Sequence, residues 1–229
     1  MQLTVLGCYG PYPKAGGHAA SGYLVTDGGT AIALDLGPGT MTRLTSRVDL
    51  RALDALVLSH LHYDHTSDLL PLRYRLEELD HTLTVFAPAD DSPWRRLLFD
   101  HPLLRAVPVR DGSTVAVGGL TLRFFAMRHT VPCLAVRIEG RRTLVYSGDT
   151  MMNDNLPRAA AGADLLLADC AKPAGFRGPH MTAPEAIKLQ EKLQIPILAT
   201  HLSPDYDPAP AFADCPGIAV AEELNTYEI

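Results

Sequence analysis

The sequence predicts an α+β fold in which two β-sheets stack face to face and helices cover their outer sides. Short apolar runs, bounded by turn signals rich in glycine and proline, recur along the whole chain. The predicted strands fall into two blocks with helices after or between them, which is the pattern of stacked sheets. No internal repeat, low-complexity tract or charged linker divides the 229 residues. We therefore expect a single domain over residues 1–229.

The first block of predicted strands lies near the N-terminus. Gln2–Leu6, Gly22–Thr26 and Ala31–Leu34 are short apolar runs. The segment Asp27-Gly28-Gly29 joins the second of these runs to the third and is typical of a hairpin turn. Ala55–Ser59 is continuously apolar up to its last residue, as expected for a strand that is covered on both faces.

Three helices are predicted, and the second block of strands begins after the second helix. Apolar spacing predicts a helix over Leu69–Leu79, which we expect Pro71 to break early, and a short helix over Pro93–Phe99. A third helix is predicted to begin near Thr182, because Thr182 and Glu185 have the spacing of a capping box. The remaining predicted strands are Leu83–Phe86, Thr114–Val117, Leu120–Met127, Cys133–Ile138, Thr143–Tyr146, Ala163–Asp169 and Ile197–Thr200.

Composition excludes several classes of protein. The 47% hydrophobic and 20% charged residues are ordinary for a soluble globular chain. The net charge of −6 argues against a surface that coats nucleic acid, because neutralising phosphates requires clustered lysine and arginine. The four cysteines form no C-x-x-C pair, and we find neither a secretory signal nor an apolar run of membrane-spanning length. We expect a cytoplasmic protein that is not embedded in a membrane.

A dense polar motif follows the Ala55–Ser59 strand. His60, His62, Asp64 and His65 form the pattern H-x-H-x-D-H. Three imidazoles and a carboxylate within six residues are costly to bury unless each finds a partner, and a metal ion satisfies all four at once. The alternative is a solvated loop that happens to be rich in histidine.

Further ligand-type residues stand just beyond three other predicted strands. His129 follows Leu120–Met127, Asp149 follows Thr143–Tyr146, and His201 follows Ile197–Thr200. Each residue alone would be an ordinary loop residue. Together with the motif they predict a metal site, since imidazole and carboxylate are ligands for zinc or manganese.

With these residues the sequence resembles the metallo-β-lactamase superfamily, specifically its ribonuclease Z-like and phosphodiesterase-like branch. The resemblance runs from Thr4 to His201. It implies a four-layer αββα sandwich with the metals at one edge between the two sheets. The matching segments beside the motif are Asp35-Leu36-Gly37-Pro38-Gly39, His129-Thr130-Val131-Pro132, Ser147-Gly148-Asp149-Thr150 and the segment from His180 to Glu185.

The resemblance also implies a set of roles for the ligands. It implies two divalent metal ions; zinc is favoured, and manganese or iron stays open because a mixed nitrogen and oxygen set suits several metals. One metal would be held by His60, His62 and His129, the other by Asp64, His65 and His201, and Asp149 would bridge them.

The expected reaction is hydrolysis by a hydroxide shared between the two metals. Asp64 is expected to orient that hydroxide as well as to bind metal. His180 is the candidate general acid, because similar segments in this branch carry a catalytic histidine; a solvated loop histidine is the alternative. Asp35 is expected to support a ligand histidine or a neighbouring amide from behind, with a turn cap before Gly37 as the alternative.

The expected substrate is a small phosphodiester, such as a cyclic nucleotide or a nucleotide-like ester. Ribonuclease Z proper carries a long tRNA-binding arm between the segments that match His129 and Asp149, where this chain has only the 19 residues 130–148. The missing arm and the acidic charge argue against long structured RNA. The alternatives are a hydrolase of carboxylic esters, thioesters or lactones at the same metals, or a metal-binding regulatory protein without catalysis. Related proteins commonly dimerise, so a homodimer stays open.

Overall fold

The structure is a computed structural model that describes all 229 residues, and it contains two seven-stranded sheets. The first sheet consists of β1 (Gln2–Gly7), β2 (Gly22–Asp27), β3 (Thr30–Leu36), β4 (Ala55–Val57), β5 (Leu83–Pro88), β6 (Leu104–Val109) and β14 (Thr226–Glu228). Its spatial order is β14-β1-β2-β3-β4-β5-β6. The strands are antiparallel from β14 to β3 and parallel from β3 to β6.

The second sheet has the same plan. It consists of β7 (Thr114–Val117), β8 (Leu120–Met127), β9 (Cys133–Glu139), β10 (Thr143–Tyr146), β11 (Leu165–Asp169), β12 (Ile197–Thr200) and β13 (Ile218–Val220). Its order is β13-β12-β11-β10-β9-β8-β7, antiparallel from β7 to β10 and parallel from β10 to β13. In each sheet, neighbouring parallel strands therefore end at the same edge, and the loops that follow them lie side by side.

Helices cover the outer face of each sheet. They are α1 (Thr40–Thr45), α2 (Tyr63–Thr66), α3 (Leu69–Leu79), α4 (Pro93–Phe99), α5 (Asn155–Ala160), α6 (Ala183–Leu193) and α7 (Ala209–Phe212), with a single 3₁₀ turn at Leu50–Ala52. The apolar residues of α1, α3 and α4 pack on the first sheet, and those of α5, α6 and α7 on the second. No helix has both the length and the apolar character needed to cross a membrane.

Three clusters of buried apolar side chains show the layers directly. The largest lies between the sheets, and the other two lie under the helices on either side. Strand β3 illustrates the alternation, since Ile32 and Leu34 belong to the cluster between the sheets while Ala31 and Ala33 belong to the outer one. The predicted αββα sandwich is confirmed.

The structure corrects several predicted boundaries. Strand β4 ends at Val57 rather than at Ser59, because the chain leaves the ladder there and the Ser59 amide donates instead to the carboxylate of Asp35. Pro71 does not break α3. It is the third residue of the helix, where a backbone N–H has no partner within the helix in any case. The second half of the motif, predicted as part of a loop, forms the helical turn α2.

Two local turn predictions are confirmed. Gly28 and Gly29 connect β2 to β3 with φ values of 56° and 90°, the positive values that a two-residue hairpin turn of this kind requires. At the start of α6, the carboxylate of Glu185 accepts hydrogen bonds from the amide and the hydroxyl of Thr182, and the capping box is complete. The cap fixes where α6 begins, and with it the segment that contains His180.

Candidate metal centre

Seven candidate ligands from five separate segments meet at one edge of the sandwich, between the two sheets. These are all of the residues for which the sequence predicted metal binding, and every one is buried or half-buried. The segments come from both sheets, so the site forms only when the two sheets pack together. The residues are His60 and His62 after β4, Asp64 and His65 in α2, His129 after β8, Asp149 after β10 and His201 after β12.

Three imidazoles form the first group. His62 Nδ1 lies 3.0 Å from His60 Nε2 and 3.1 Å from His129 Nε2. Asp149 Oδ2 lies 3.6 Å from His60 Nε2 and completes the group. A tetrahedral ion with bonds of about 2.0–2.1 Å holds its ligand atoms about 3.3 Å apart, so these spacings suit a single metal ion.

The second group contains two imidazoles and a carboxylate. Asp64 Oδ2 lies 3.1 Å from His201 Nε2 and 3.5 Å from His65 Nε2. Asp149 also reaches this group, with its Oδ1 3.3 Å from His65 Nε2 and its Oδ2 3.2 Å from His201 Nε2. One carboxylate therefore contacts both groups, as a bridging ligand must.

Hydrogen bonds at the opposite ring nitrogens orient the histidines of the first group. His60 Nδ1 lies 3.0 Å from Ser59 Oγ, and His129 Nδ1 lies 3.1 Å from the carbonyl oxygen of Pro179, to which it donates. Such outer partners set the tautomer and the ring direction of a metal ligand. Here they direct the Nε2 atoms of both rings into the site.

Asp35 supports the second group from behind. Its carboxylate is fully buried and accepts hydrogen bonds from His65 Nδ1 at 2.7 Å, from the Ser59 amide at 2.7 Å, from Ser59 Oγ at 2.8 Å and from the Tyr146 hydroxyl at 2.6 Å. Its backbone has a φ of 54°, in the left-handed region. Asp35 thus contacts both a candidate ligand and a neighbouring amide. This is the arrangement expected if Asp35 supports the site from behind rather than caps the turn before Gly37.

Burial keeps the first group uncharged. It lowers the pKa of His60 well below the ordinary histidine value, and it also lowers the pKa values of His62 and His129. Neutral imidazole is the form that binds a metal ion, so these rings pay no deprotonation cost on binding.

The second group concentrates negative charge. Burial opposes protonation of His65, but the carboxylates of Asp149 and Asp64 raise its pKa well above the ordinary value. Burial likewise opposes ionisation of Asp149, but the neighbouring rings of His201 and His65 hold its pKa well below the ordinary range. The carboxylates therefore stabilise a positive charge at this point.

Several polar atoms in the site are buried and have no hydrogen-bond partner. Divalent ions bound in the two groups would give partners to His65 Nε2 and Asp149 Oδ1. The mixed set of imidazole and carboxylate donors suits such ions. The residues present therefore fit the binding of metal ions. The unpartnered atoms are His65 Nε2, Asp149 Oδ1, His201 Nδ1 and Asp169 Oδ1.

His180 lies beside the site and is held by a residue that the sequence analysis missed. Its Nδ1 is 2.7 Å from Asp169 Oδ2, which also accepts the Thr150 amide at 3.0 Å. The ring of His180 stacks on that of His201, with 4.8 Å between the ring centroids. Asp169 is the last residue of β11, and the strand-end rule that identified Asp149 could have found it too.

Comparison with known proteins agrees with this geometry. Residues 25–201 match the family described as the beta-lactamase superfamily domain. The chain belongs to the metallo-β-lactamase superfamily. The resemblance stated from the motifs is confirmed.

Among members of the superfamily, the chain is similar to YhfI of Bacillus subtilis (strain 168), named a probable metallo-hydrolase. The two are 32% identical over 214 residues, which are 88% of this chain and 87% of YhfI. The crystal structure of YhfI matches 99% of this chain and 98% of its own with a TM-score of 0.90. The chain is accordingly a metal-dependent hydrolase of this superfamily.

Two further relatives belong to the ribonuclease Z type. A protein named ribonuclease Z from Mycobacterium sp. (strain KMS) is 28% identical over 91% of this chain and 86% of its own. The crystal structure of human tRNase Z, short form, covers 100% of this chain and 99% of its own with a TM-score of 0.78. At 19% identity, the human structure shows the shared metallo-β-lactamase fold alone.

One more buried residue of this superfamily member lies behind the second group. Lys172 is 3% exposed, and its Nζ donates to Ser203 Oγ at 2.8 Å and to the His201 carbonyl oxygen at 3.4 Å. His201 has a φ of 56°, and the Lys172 contacts hold the carbonyl of that left-handed residue and the side chain of Ser203, two residues further on. A Cβ atom on Gly10 would overlap the His201 ring, so glycine is needed there. A lone lysine gave no signal in the sequence.

Proposed function

We propose that this metal-dependent hydrolase cleaves a small phosphodiester, either a cyclic nucleotide or a nucleotide-like ester. The observation that carries the proposal is the Asp169–His180 pair beside the candidate metal centre. An alkoxide leaving a phosphodiester is a poor leaving group and needs a proton, and His180 is placed to donate one. A relative of ribonuclease Z type supports the same class of bond, since RNA is a phosphodiester.

The proposed ligands are those that the geometry groups together. We assign His60, His62 and His129 to one ion, Asp64, His65 and His201 to a second, and Asp149 to both, with zinc favoured for each. Two such ions, when bound, would polarise the phosphoryl group and lower the pKa of water towards neutrality.

The chain's own residues would then orient the reactants. Asp64 Oδ2 lies between the two imidazoles of its group and would accept a hydrogen bond from the attacking water. Asp169 accepts the Nδ1 proton of His180, which fixes the ring and leaves Nε2 as the atom that delivers a proton to the leaving oxygen. Asp35 would keep the His65 ring in its binding orientation.

The size and charge of the chain favour a small substrate over long structured RNA. Residues 130–148 are taken up largely by the hairpin of β9 and β10, with no projecting arm. The net charge of −6 also disfavours a long polyanion. The four free cysteines are consistent with the cytoplasm, where we place the protein.

The test is a substrate screen on the metal-loaded protein with the variant His180→Ala. The substrates are 3′,5′-cyclic AMP, bis(p-nitrophenyl) phosphate, p-nitrophenyl acetate and a simple lactone. We expect His180→Ala to lower kcat on cyclic AMP by roughly 100-fold or more and to change p-nitrophenyl acetate hydrolysis little, because p-nitrophenolate leaves without a proton. The matched control is His81→Ala, since His81 lies in the connection between α3 and β5 and contacts none of the candidate ligands.

Turnover of the lactone or the carboxylic ester with no turnover of either phosphodiester would reject the proposal in favour of the carboxyl-ester alternative. Equal loss on all substrates in His180→Ala would show that His180 does not act as the proton donor.

A further inference from the structure

Beside the candidate metal centre lies a cavity of about 580 Å³ that has no role in the reaction proposed for the metal ligands and His180. Its lining combines one exposed aromatic ring, two arginines and the candidate acid His180. The residues that matter are Arg128, Phe176, Arg177, Gly178, His180 and Glu185.

The aromatic ring is exposed and lies close to both Gly178 and His180. Phe176 is 39% exposed, yet its ring packs directly against the backbone of Gly178, where any Cβ atom would overlap the ring. The ring centroid lies 6.1 Å from that of His180. An exposed phenyl ring beside a phosphodiesterase-type site is a platform on which a nucleobase can stack.

The two arginines give this part of an acidic chain a local positive charge. Arg128 and Arg177 are both exposed, and neither guanidinium forms a salt bridge in the structure. Guanidinium groups match the geometry of phosphate oxygens. The one acidic lining residue, Glu185, already accepts two hydrogen bonds from Thr182 in the capping box.

The cavity wall is attached to the reacting groups on two sides. The Pro179 carbonyl accepts the Nδ1 proton of His129, and His180 is bound to Asp169. A ligand in the cavity would therefore lie next to both the first group of candidate ligands and the candidate acid.

We propose that this cavity binds the nucleotide part of the substrate. The base stacks on Phe176, and Arg128 and Arg177 hold a phosphate other than the one that is cleaved. Of the two proposed substrate classes, the inference therefore favours a nucleotide-like ester that carries an additional phosphate over a cyclic nucleotide with a single phosphate. The inference specifies the substrate of the proposed phosphodiesterase function and rests on that function.

The test measures binding by isothermal titration calorimetry of the metal-loaded protein, so it does not depend on turnover. The probes are inorganic phosphate, phenyl phosphate, ribose 5-phosphate, AMP and ADP. We expect AMP to bind roughly 10-fold more tightly than ribose 5-phosphate because of stacking, and ADP roughly 10-fold more tightly than AMP because of its second phosphate.

Substitutions test which residues cause the preference for AMP over ribose 5-phosphate and the preference for ADP over AMP. Phe176→Leu should bring AMP and ribose 5-phosphate to within about twofold, and Arg128→Ala or Arg177→Ala should do the same for ADP and AMP. Inorganic phosphate, which the metal ions bind by themselves, should keep its affinity in all three variants. The matched controls are Tyr74→Leu, which alters an exposed ring on α3, and Arg105→Ala on β6; both should bind like the wild type.

Equal binding of AMP and ribose 5-phosphate by the wild type, or unchanged AMP binding by Phe176→Leu, would overturn the inference. Phenyl phosphate binding as tightly as AMP would also overturn it, because the site would then select a simple aromatic phosphate. If the base preference is present but no phosphodiester is hydrolysed, the proposed function fails while the nucleotide site stands. The two failures are therefore distinguishable.

Discussion

Replacing Asp35 by asparagine should damage both the stability and the metal binding of this hydrolase. Asp35 Oδ2 accepts from Ser59 Oγ, His65 Nδ1 and the Tyr146 hydroxyl, and Oδ1 accepts from the Ser59 amide. Asparagine has the same shape but replaces one acceptor oxygen by a donor. The change therefore tests the hydrogen bonds with little change in packing.

Both orientations of the new amide leave buried donors without acceptors. If nitrogen takes the place of Oδ2, the bonds from three donors are lost; if it takes the place of Oδ1, the Ser59 amide and the new NH₂ face each other. At least two buried donors are unpaired in either case, and each costs about 1–3 kcal/mol. We expect Asp35→Asn to lower the free energy of unfolding by roughly 2–6 kcal/mol, a large part of the about 5–15 kcal/mol of a typical domain.

The assay is urea unfolding of the metal-free protein, followed by a zinc titration. Zinc affinity should fall by about 10–100-fold, because the His65 ring exchanges a charged acceptor for a neutral amide oxygen or loses its acceptor altogether. Tyr146→Phe is the matched control, since it removes one bond to Asp35 and leaves the His65 contact intact. If Asp35→Asn unfolds within about 1 kcal/mol of the wild type and binds zinc equally well, the assigned role of this carboxylate is wrong.

Three further predictions follow from individual contacts. Asp149→Ala should reduce the metal content of both groups and abolish hydrolysis, as measured by elemental analysis and turnover; two retained ions would contradict the bridging assignment. Lys172→Met should weaken the metal at the His201 group selectively, which competitive chelator titration would detect, whereas a lower Tm with unchanged metal affinity would indicate a merely structural lysine. Burial opposes the ionisation of Asp27, but hydrogen bonds from Arg141 hold its pKa below the ordinary value. Because a lowered folded-state pKa stabilises the fold only above the unfolded value of about 3.9, Asp27→Asn should destabilise the protein at neutral pH, and the difference should shrink as the pH falls through the folded-state pKa. An equal difference in urea midpoints at pH 7 and pH 2.5 would contradict this.

The central strands were predictable, whereas three of the four edge strands were not. β3 and β11 are buried along nearly all their length, so each contains a run of four apolar residues, Ala31–Leu34 and Leu165–Ala168. β6, β13 and β14 lie at sheet edges, where half-exposed residues interrupt the apolar pattern and a proline such as Pro108 is tolerated. The short helices α1, α5 and α7 have too few turns to show a helical period. That residues 1–229 form one domain stays a prediction.

The candidate ligands could be predicted because their residue types and spacing are visible in short segments of the sequence. His60 and His62 stand in one dense motif, and His129, Asp149 and His201 each follow a strand, where polar residues aimed at one edge can meet. Residue type and strand-end position together determined which groups could hold metal, and the structure brings all of these together.

Only the packing of the two sheets decided how those residues work together. Asp169 binds His180, which lies on a separate segment, and Lys172 binds the backbone of His201 on the neighbouring strand end. Neither partner can be read from the local sequence. The cavity formed by Phe176 and Arg128 likewise joins segments that are far apart in the chain. Composition and spacing report what a residue can do, whereas hydrogen bonds between distant segments depend on distances of a few ångströms that only the folded chain defines.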